Sequence, residues 1–183
     1  MKKAVISALV LFTLVGVYAF SIRKAAVPES GGIKWMTWQQ MQEAQKTQPR
    51  KVFVDVYTEW CGWCKRMDAS TFSNAEIISY VNENYYAVKF DAETQSTINF
   101  KGKDYKFVPQ GYRGYNELAA EILDGQLSYP TAVYMDENLN VIFPVPGYRE
   151  PKEFEQIINY VHSNAYKNKK FEDYQKEFKG KIQ

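Results

Sequence analysis

The sequence predicts an α/β domain, a β-sheet flanked by helices, and three observations carry that reading. Strand, helix, helix and strand patterns follow one another between residues 51 and 90, an order that lays helices over a sheet. The only two cysteines, Cys61 and Cys64, stand three apart where the first of these strands gives way to a helix. A second pair of strands, over residues 131–143, precedes an amphipathic helix that opens at Pro151.

Each element has its own signal. Lys2 and Lys3 precede an uncharged apolar run from Ala4 to Phe20, and Val17-Tyr18-Ala19 offers a cleavage site, so residues 1–20 read as a signal peptide. The run also matches the shortest membrane spans, and Arg23 and Lys24 follow it, so an N-terminal membrane anchor is the alternative. Residues 21–33 read as a linker, and residues 34–166 as the folded domain. Thr37 is placed to cap a helix from Trp38 to Lys46, which Pro49 stops. Lys51 to Tyr57 is a strand, Cys61 to Ala69 a helix, and Ser73 or Asn74 caps a further helix with Ile77, Ile78 and Val81 on one face. Tyr85 to Phe90 is the next strand. Ile98-Asn99-Phe100 and Tyr105-Lys106-Phe107 are expected to face each other across Lys101-Gly102-Lys103-Asp104. Tyr115, Leu118, Ala119 and Ile122 form one helical stripe closed by Gly125, and strands Thr131–Met135 and Val141–Phe143 pair across residues 136–140. Phe154, Ile157, Ile158 and Val161 dock the helix that starts at Pro151, and residues 167–183 form a charged helical tail.

Composition narrows the function. The 183 residues fit one domain plus a leader. The net charge of +2 comes from 23 basic and 21 acidic residues, so loss of Lys2 and Lys3 leaves 21 against 21. A neutral domain gives no case for nucleic acid. In the tail, Lys167, Lys169, Lys170, Lys176, Lys179 and Lys181 outnumber Glu172, Asp173 and Glu177, the pattern of a solvated helix face. The sequence has no Gly-rich phosphate loop and no metal-ligand cluster, so no cofactor or metal is expected.

The chemistry is concentrated in Trp60-Cys61-Gly62-Trp63-Cys64-Lys65. In the first turn of a helix, this spacing brings two sulfurs within bonding reach, and the free N–H groups of the helix end favour a thiolate on the leading cysteine. Such motifs lower the thiol pKa from about 8.5 to between roughly 3.5 and 7.5. Cys61 is then the attacker, Cys64 the resolver, and the pair a disulfide that opens and closes. A zinc site lacks ligands, since only His162 is available far along the chain, and covalent haem attachment would need histidine where Lys65 stands. A structural staple remains open, although so short a loop constrains the unfolded chain little. An exported protein that needed stapling would carry several pairs; this one spends its only pair on an exchangeable spacing.

Three further residues draw notice. Asp55 lies inside the apolar run Val54-Asp55-Val56, where burial raises a carboxyl pKa toward the range useful for accepting a thiol proton; the alternative is an acid on a solvent-facing strand position. Lys89 is a strand lysine that can equally reach solvent. Pro130 precedes a β-branched strand, as a plain strand-entry proline would.

With these residues in view, the chain resembles the thioredoxin superfamily across most of residues 50–165, on Asp55-Val56-Tyr57-Thr58-Glu59-Trp60-Cys61-Gly62-Trp63-Cys64-Lys65, Tyr129-Pro130-Thr131 and Gly147. The resemblance implies a three-layer fold, a central mixed sheet flanked by helices, with a hairpin and helix inserted at about residues 94–127 before the cis-proline strand. It gives Asp55 the role of the buried acid that assists Cys64, Lys89 that of the lysine approaching it, and Pro130 a cis bond beside the dithiol. Trp60, Trp63, Tyr129 and Pro130 become the substrate-binding candidates, with Cys61, Cys64, Asp55 and Lys89 as the catalytic ones. Trp63 departs from the proline that typical thioredoxins carry there and is closer to exported domains with Cys-x-Trp-Cys. The resemblance implies an exported, periplasmic thiol–disulfide oxidoreductase that reduces protein disulfides. Its expected partners are those substrates, apocytochrome c cysteines among them, and a membrane protein that donates thiol electrons. Oxidase or isomerase action is the alternative within the fold, and a non-catalytic binding or assembly module the alternative outside it. The insertion is the candidate for partner choice, with Tyr105, Phe107, Tyr112 and Tyr115 either lining a contact surface or packing a satellite core.

Overall fold

A computed structural model describes residues 31–182. The proposed leader and most of the linker lie outside the described residues. Among those described, no helix is long and apolar enough to cross a membrane.

The chain begins with a short strand, β1 (Trp35–Met36), and helix α1 (Trp38–Thr47). Thr37 caps α1 as its sequence position predicts, and Gln40 closes a capping box by reaching back to the Thr37 N–H at 2.9 Å. Removing a cap of this kind costs about 1 kcal/mol. Thr37→Ala is therefore expected to lower the unfolding free energy by about that much, read by urea denaturation. Strand β2 (Lys51–Tyr57) leads into α2 (Gly62–Ser70), then α3 (Ala75–Asn84), capped by Asn74, and β3 (Tyr85–Asp91). After the insertion come β8 (Thr131–Met135), β9 (Val141–Pro146) and α5 (Pro151–His162).

Five strands form one sheet in the order β1-β3-β2-β8-β9. The first three run parallel; β8 and β9 are antiparallel to their neighbours, so the sheet is mixed. Because side chains alternate along a strand, β2 serves two cores at once. Val52, Val54 and Val56 face Trp38 and Met41 of α1 together with Leu118 and Ile122 from the insertion. Phe53 faces the other way, among Met67 of α2, Ile77 of α3 and Phe154 and Ile158 of α5. The three layers follow from that alternation.

The insertion differs from the sequence expectation. Ile98–Phe100 (β4) pairs with Lys103–Tyr105 (β5), not with residues 105–107. Lys101 and Gly102 both adopt positive φ, at 52° and 79°. That is the two-residue turn whose twist matches a hairpin, so the loop is shorter than the four residues expected and the register moves. Phe107 instead opens a second hairpin, β6 (Phe107–Gln110) with β7 (Arg113–Asn116), turning at Gly111. Tyr115 belongs to β7, opposite Val108, and not to the helical stripe; helix α4 runs from Glu117 to Ile122. Pro109 inside β6 hid this hairpin, which is tolerated because the two strands pair only with each other. Asn116 pins the insertion to the body: it is fully buried, its N–H donates to Ala92 O at 2.7 Å, and its side chain caps α4. The aromatic cluster divides. Tyr105 is core, its hydroxyl donating to Glu121 at 2.6 Å, while Tyr112 stands fully exposed at the hairpin tip.

Beyond α5, helix α6 (Phe171–Glu177) contributes no buried residue, yet Phe171 meets the Tyr160 ring edge to face and Tyr174 meets it at a tilt. The following segment returns to α5, where the buried Glu155 accepts from the N–H groups of Lys181 and Ile182 at 2.7 and 3.1 Å.

Candidate active site

Cys61 is the N-cap of α2, and Cys64 lies in its first turn. The two form a disulfide, and the Cys64 N–H donates to Cys61 Sγ at 3.0 Å. Once the bond opens, the same donor and the helix end favour negative charge on Cys61 over Cys64. The strand-to-helix turn is held by the Cys61 N–H donating to Thr58 O at 3.1 Å.

Asp55 occupies the middle of β2 on the α2-facing side and is 2% exposed. Strand register sets it opposite Lys89. Lys89 Nζ lies 2.6 Å from Asp55 Oδ2 as an ion pair without hydrogen-bond alignment, and also pairs with Asp68 of α2. Asp68 is four residues after Cys64, so both occupy one face of the helix. The lysine thereby ties the sheet acid to the helix that carries the dithiol. Trp35, Tyr57 and Phe72 surround its ammonium, each ring centroid within 5.4 Å. Burial raises the Asp55 pKa to about 6, against the pull of the Lys89 charge and with a smaller push from Asp68. The solvent-facing alternative for Asp55 does not hold.

The Tyr129–Pro130 bond is cis. Pro130 O accepts from the Gly147 N–H at 2.7 Å, and Thr131 pairs in register with Val56 of β2. Tyr129 meets Trp60 edge to face at 6.1 Å, which sets the proline segment beside the residue that precedes Cys61. Trp60 and Trp63 are 52% and 56% exposed, so the dithiol opens between two indoles. The sequence-predicted residues thus fall around the Cys61–Cys64 disulfide in two groups, a buried acid with its partly exposed lysine, and an aromatic mouth of Trp60, Trp63, Tyr129 and Pro130.

Four neighbours escaped the sequence reading. Asp68 and Arg66 had a signal, since they lie four residues from Cys64 and three from Trp63 on one helix. Tyr148, which contacts the Trp63 ring at 5.5 Å, follows Gly147 and had none. Arg113, whose guanidinium lies 4.2 Å from the Trp60 ring centroid, depended on the hairpin that went unread.

A mixed sheet between helix layers, a cysteine pair at the head of a helix and a cis-proline at the start of the neighbouring strand together define the thioredoxin fold. The chain belongs to the thioredoxin-like domain family, whose profile matches residues 38–162, more than half of its length. It is similar to a thioredoxin-fold protein from Helicobacter pylori at 20% identity and a TM-score of 0.54, covering 70% of this chain and 80% of that one. It is also similar to a putative disulphide-isomerase from Bacteroides thetaiotaomicron at 22% identity and a TM-score of 0.51, covering 74% and 98%. An uncharacterised Caenorhabditis elegans protein is 23% identical over 137 residues, 72% of this chain. The chain spans only 17% of that relative's length. At these identities the likeness carries the fold. The fold and the close-spaced cysteine pair together suggest thiol–disulfide oxidoreductase chemistry.

Proposed function

We propose that the protein is an exported thiol–disulfide oxidoreductase that reduces disulfides of protein substrates. The observation that carries this reading is the Cys61 sulfur at the N-cap of α2, facing the Cys64 N–H. The Cys61 thiolate attacks one sulfur of a substrate disulfide, forming a mixed disulfide and expelling the other substrate sulfur as a thiolate that takes up a proton. Cys64 gives its proton to Asp55, the buried carboxylate joined to α2 through Lys89, and attacks Cys61 Sγ. The second substrate sulfur leaves and is protonated. Substrate gains two electrons and two protons, and the Cys61–Cys64 disulfide is restored. A pKa of about 6 leaves Asp55 largely ionised at neutral pH, yet closer to a thiol than an ordinary carboxyl.

Continued turnover requires a dithiol donor. Lys2 and Lys3 ahead of the apolar run to Phe20, the pattern of a signal peptide or membrane anchor, support export in this reading. A reductant outside the cytoplasm must then be recharged across the bilayer, so the donor in this reading is a membrane protein that passes thiol equivalents. Apocytochrome c cysteines are a substrate class of the kind such a reductant would serve. Equilibration with glutathione or dithiothreitol buffers tests the direction. A reduction potential near −250 mV or lower is expected, and one near −120 mV, in the range of strong oxidants, would overturn reduction as the role.

A further inference from the structure

Two exposed indoles frame the disulfide, and each carries a guanidinium. Arg66 of α2 sits 5.2 Å from the Trp63 ring centroid and 5.3 Å from that of Tyr148. Arg113 of the β6–β7 hairpin sits 4.2 Å from the Trp60 ring centroid. A guanidinium resting on a ring keeps its in-plane N–H donors at the edge, in the fork that matches a carboxylate. Because it is already seated, it loses less side-chain freedom on pairing than a free surface arginine does.

The acids near the mouth are engaged elsewhere or meet these cations weakly. Asp68 pairs with Lys89, and Asp91 accepts from the Glu93 N–H at 3.0 Å. Glu93 approaches a single Arg113 nitrogen at 3.7 Å, a long contact that leaves the fork open. Glu59 and Glu150 are exposed, each 3.5 Å from a tyrosine hydroxyl, that of Tyr57 and that of Tyr148 respectively. Among the described residues, Lys65 and Arg66 have no carboxylate within ion-pair distance. Lys65, Arg66 and Arg113 thus stand outward among three acids, Glu59, Glu93 and Glu150, and the two guanidiniums already seated on rings are the cations placed to receive a further carboxylate.

We infer that this mouth recognises acidic polypeptide segments, with carboxylates that flank the target disulfide seating on Arg66 and Arg113. The inference rests on the reading of Cys61–Cys64 as an exchanging pair and adds the class of substrate. It also gives the inserted hairpin a task, since Arg113 is the side chain through which the insertion reaches Trp60.

The probes are two peptides of one sequence that differ only in carrying Glu or Lys on both sides of the reactive cysteine. Each is made as a disulfide and as a serine-substituted form that cannot exchange. Binding of the serine forms to the oxidised protein is followed by tryptophan fluorescence at low and high salt. The Glu form is expected to bind about fivefold more tightly than the Lys form at low salt. That ratio should fall toward one at high salt and in the Arg66→Gln/Arg113→Gln double variant, whose fold is checked by circular dichroism. Equal binding of the two peptides, or a preference unchanged in the double variant, overturns the inference. The disulfide forms are read separately: failure of the reduced protein to exchange with either would overturn the oxidoreductase reading, while the binding ratio still decides the recognition of acidic segments.

Discussion

Asp55→Asn is expected to slow release of reduced substrate about a hundredfold while making the oxidised protein more stable at neutral pH. The slowing follows from the loss of a positioned base, a contribution of about 10²–10⁴ in rate. It should appear as a mixed disulfide that persists in stopped-flow traces, with the initial Cys61 attack little changed. The stabilisation follows from burial. The folded pKa of about 6 lies above the ordinary 3.8, so the folded state holds its proton more tightly than the unfolded chain does. Stability from this group is full below about pH 4 and is lost as pH rises through 6. A shift of about two units corresponds to roughly 3 kcal/mol, an upper bound for the gain in the Asn variant, because Lys89 then keeps only Asp68 as partner. Urea denaturation from pH 4 to 8 should show a falling limb in the wild type that the variant lacks. A wild-type profile flat across that window would remove the buried-acid account, whatever the kinetics show.

Cys61→Ser and Cys64→Ser should fail in different ways, and the difference tests the order of events. Without Cys61 no mixed disulfide forms, and turnover falls on the order of a thousandfold or more, because loss of a covalent nucleophile leaves only residual catalysis. With Cys64 replaced, attack proceeds and resolution does not, so the substrate stays attached to Cys61 and is seen by intact-mass measurement. Trapping on Cys64 in the Cys61→Ser variant, with none in its counterpart, would reverse the assignment of attacker and resolver. A double serine variant that retained the full biological role would favour the binding-module alternative instead.

Much of the fold is legible in the sequence because its signals are local and agree. Thr37 with Gln40, Asn74 and Pro151 mark helix starts by caps and by fixed φ, independently of anything distant. Strand β2 reads correctly because five of its seven residues are β-branched or aromatic and favour one conformation together. The insertion resists for the opposite reason. Its register is fixed by two positive-φ residues, one of them a lysine, and its second hairpin contains a proline. Single-sequence patterns weight both against the observed strands. At the site, Cys61 and Cys64 announce themselves by spacing, and Asp55 by an acid amid valines. Which cation meets which ring depends on elements brought together from residues 63, 113 and 148, and no window of sequence contains all three.

The match to the family ends at residue 162, yet the physical unit does not. Glu155 sits on α5 with its carboxylate buried, and the donors that answer it come from Lys181 and Ile182. Gly180 passes so close that a side chain there would collide with the carboxylate, a β-carbon falling 2.3 Å from Glu155 Oε2. A fragment cut at the homology boundary would keep the acid and discard its answer, leaving a carboxylate without the two N–H donors that meet it in the whole domain. The stretch that matches the family and the stretch that packs as one body are thus different lengths of this chain, and the longer one should guide any excision of the domain.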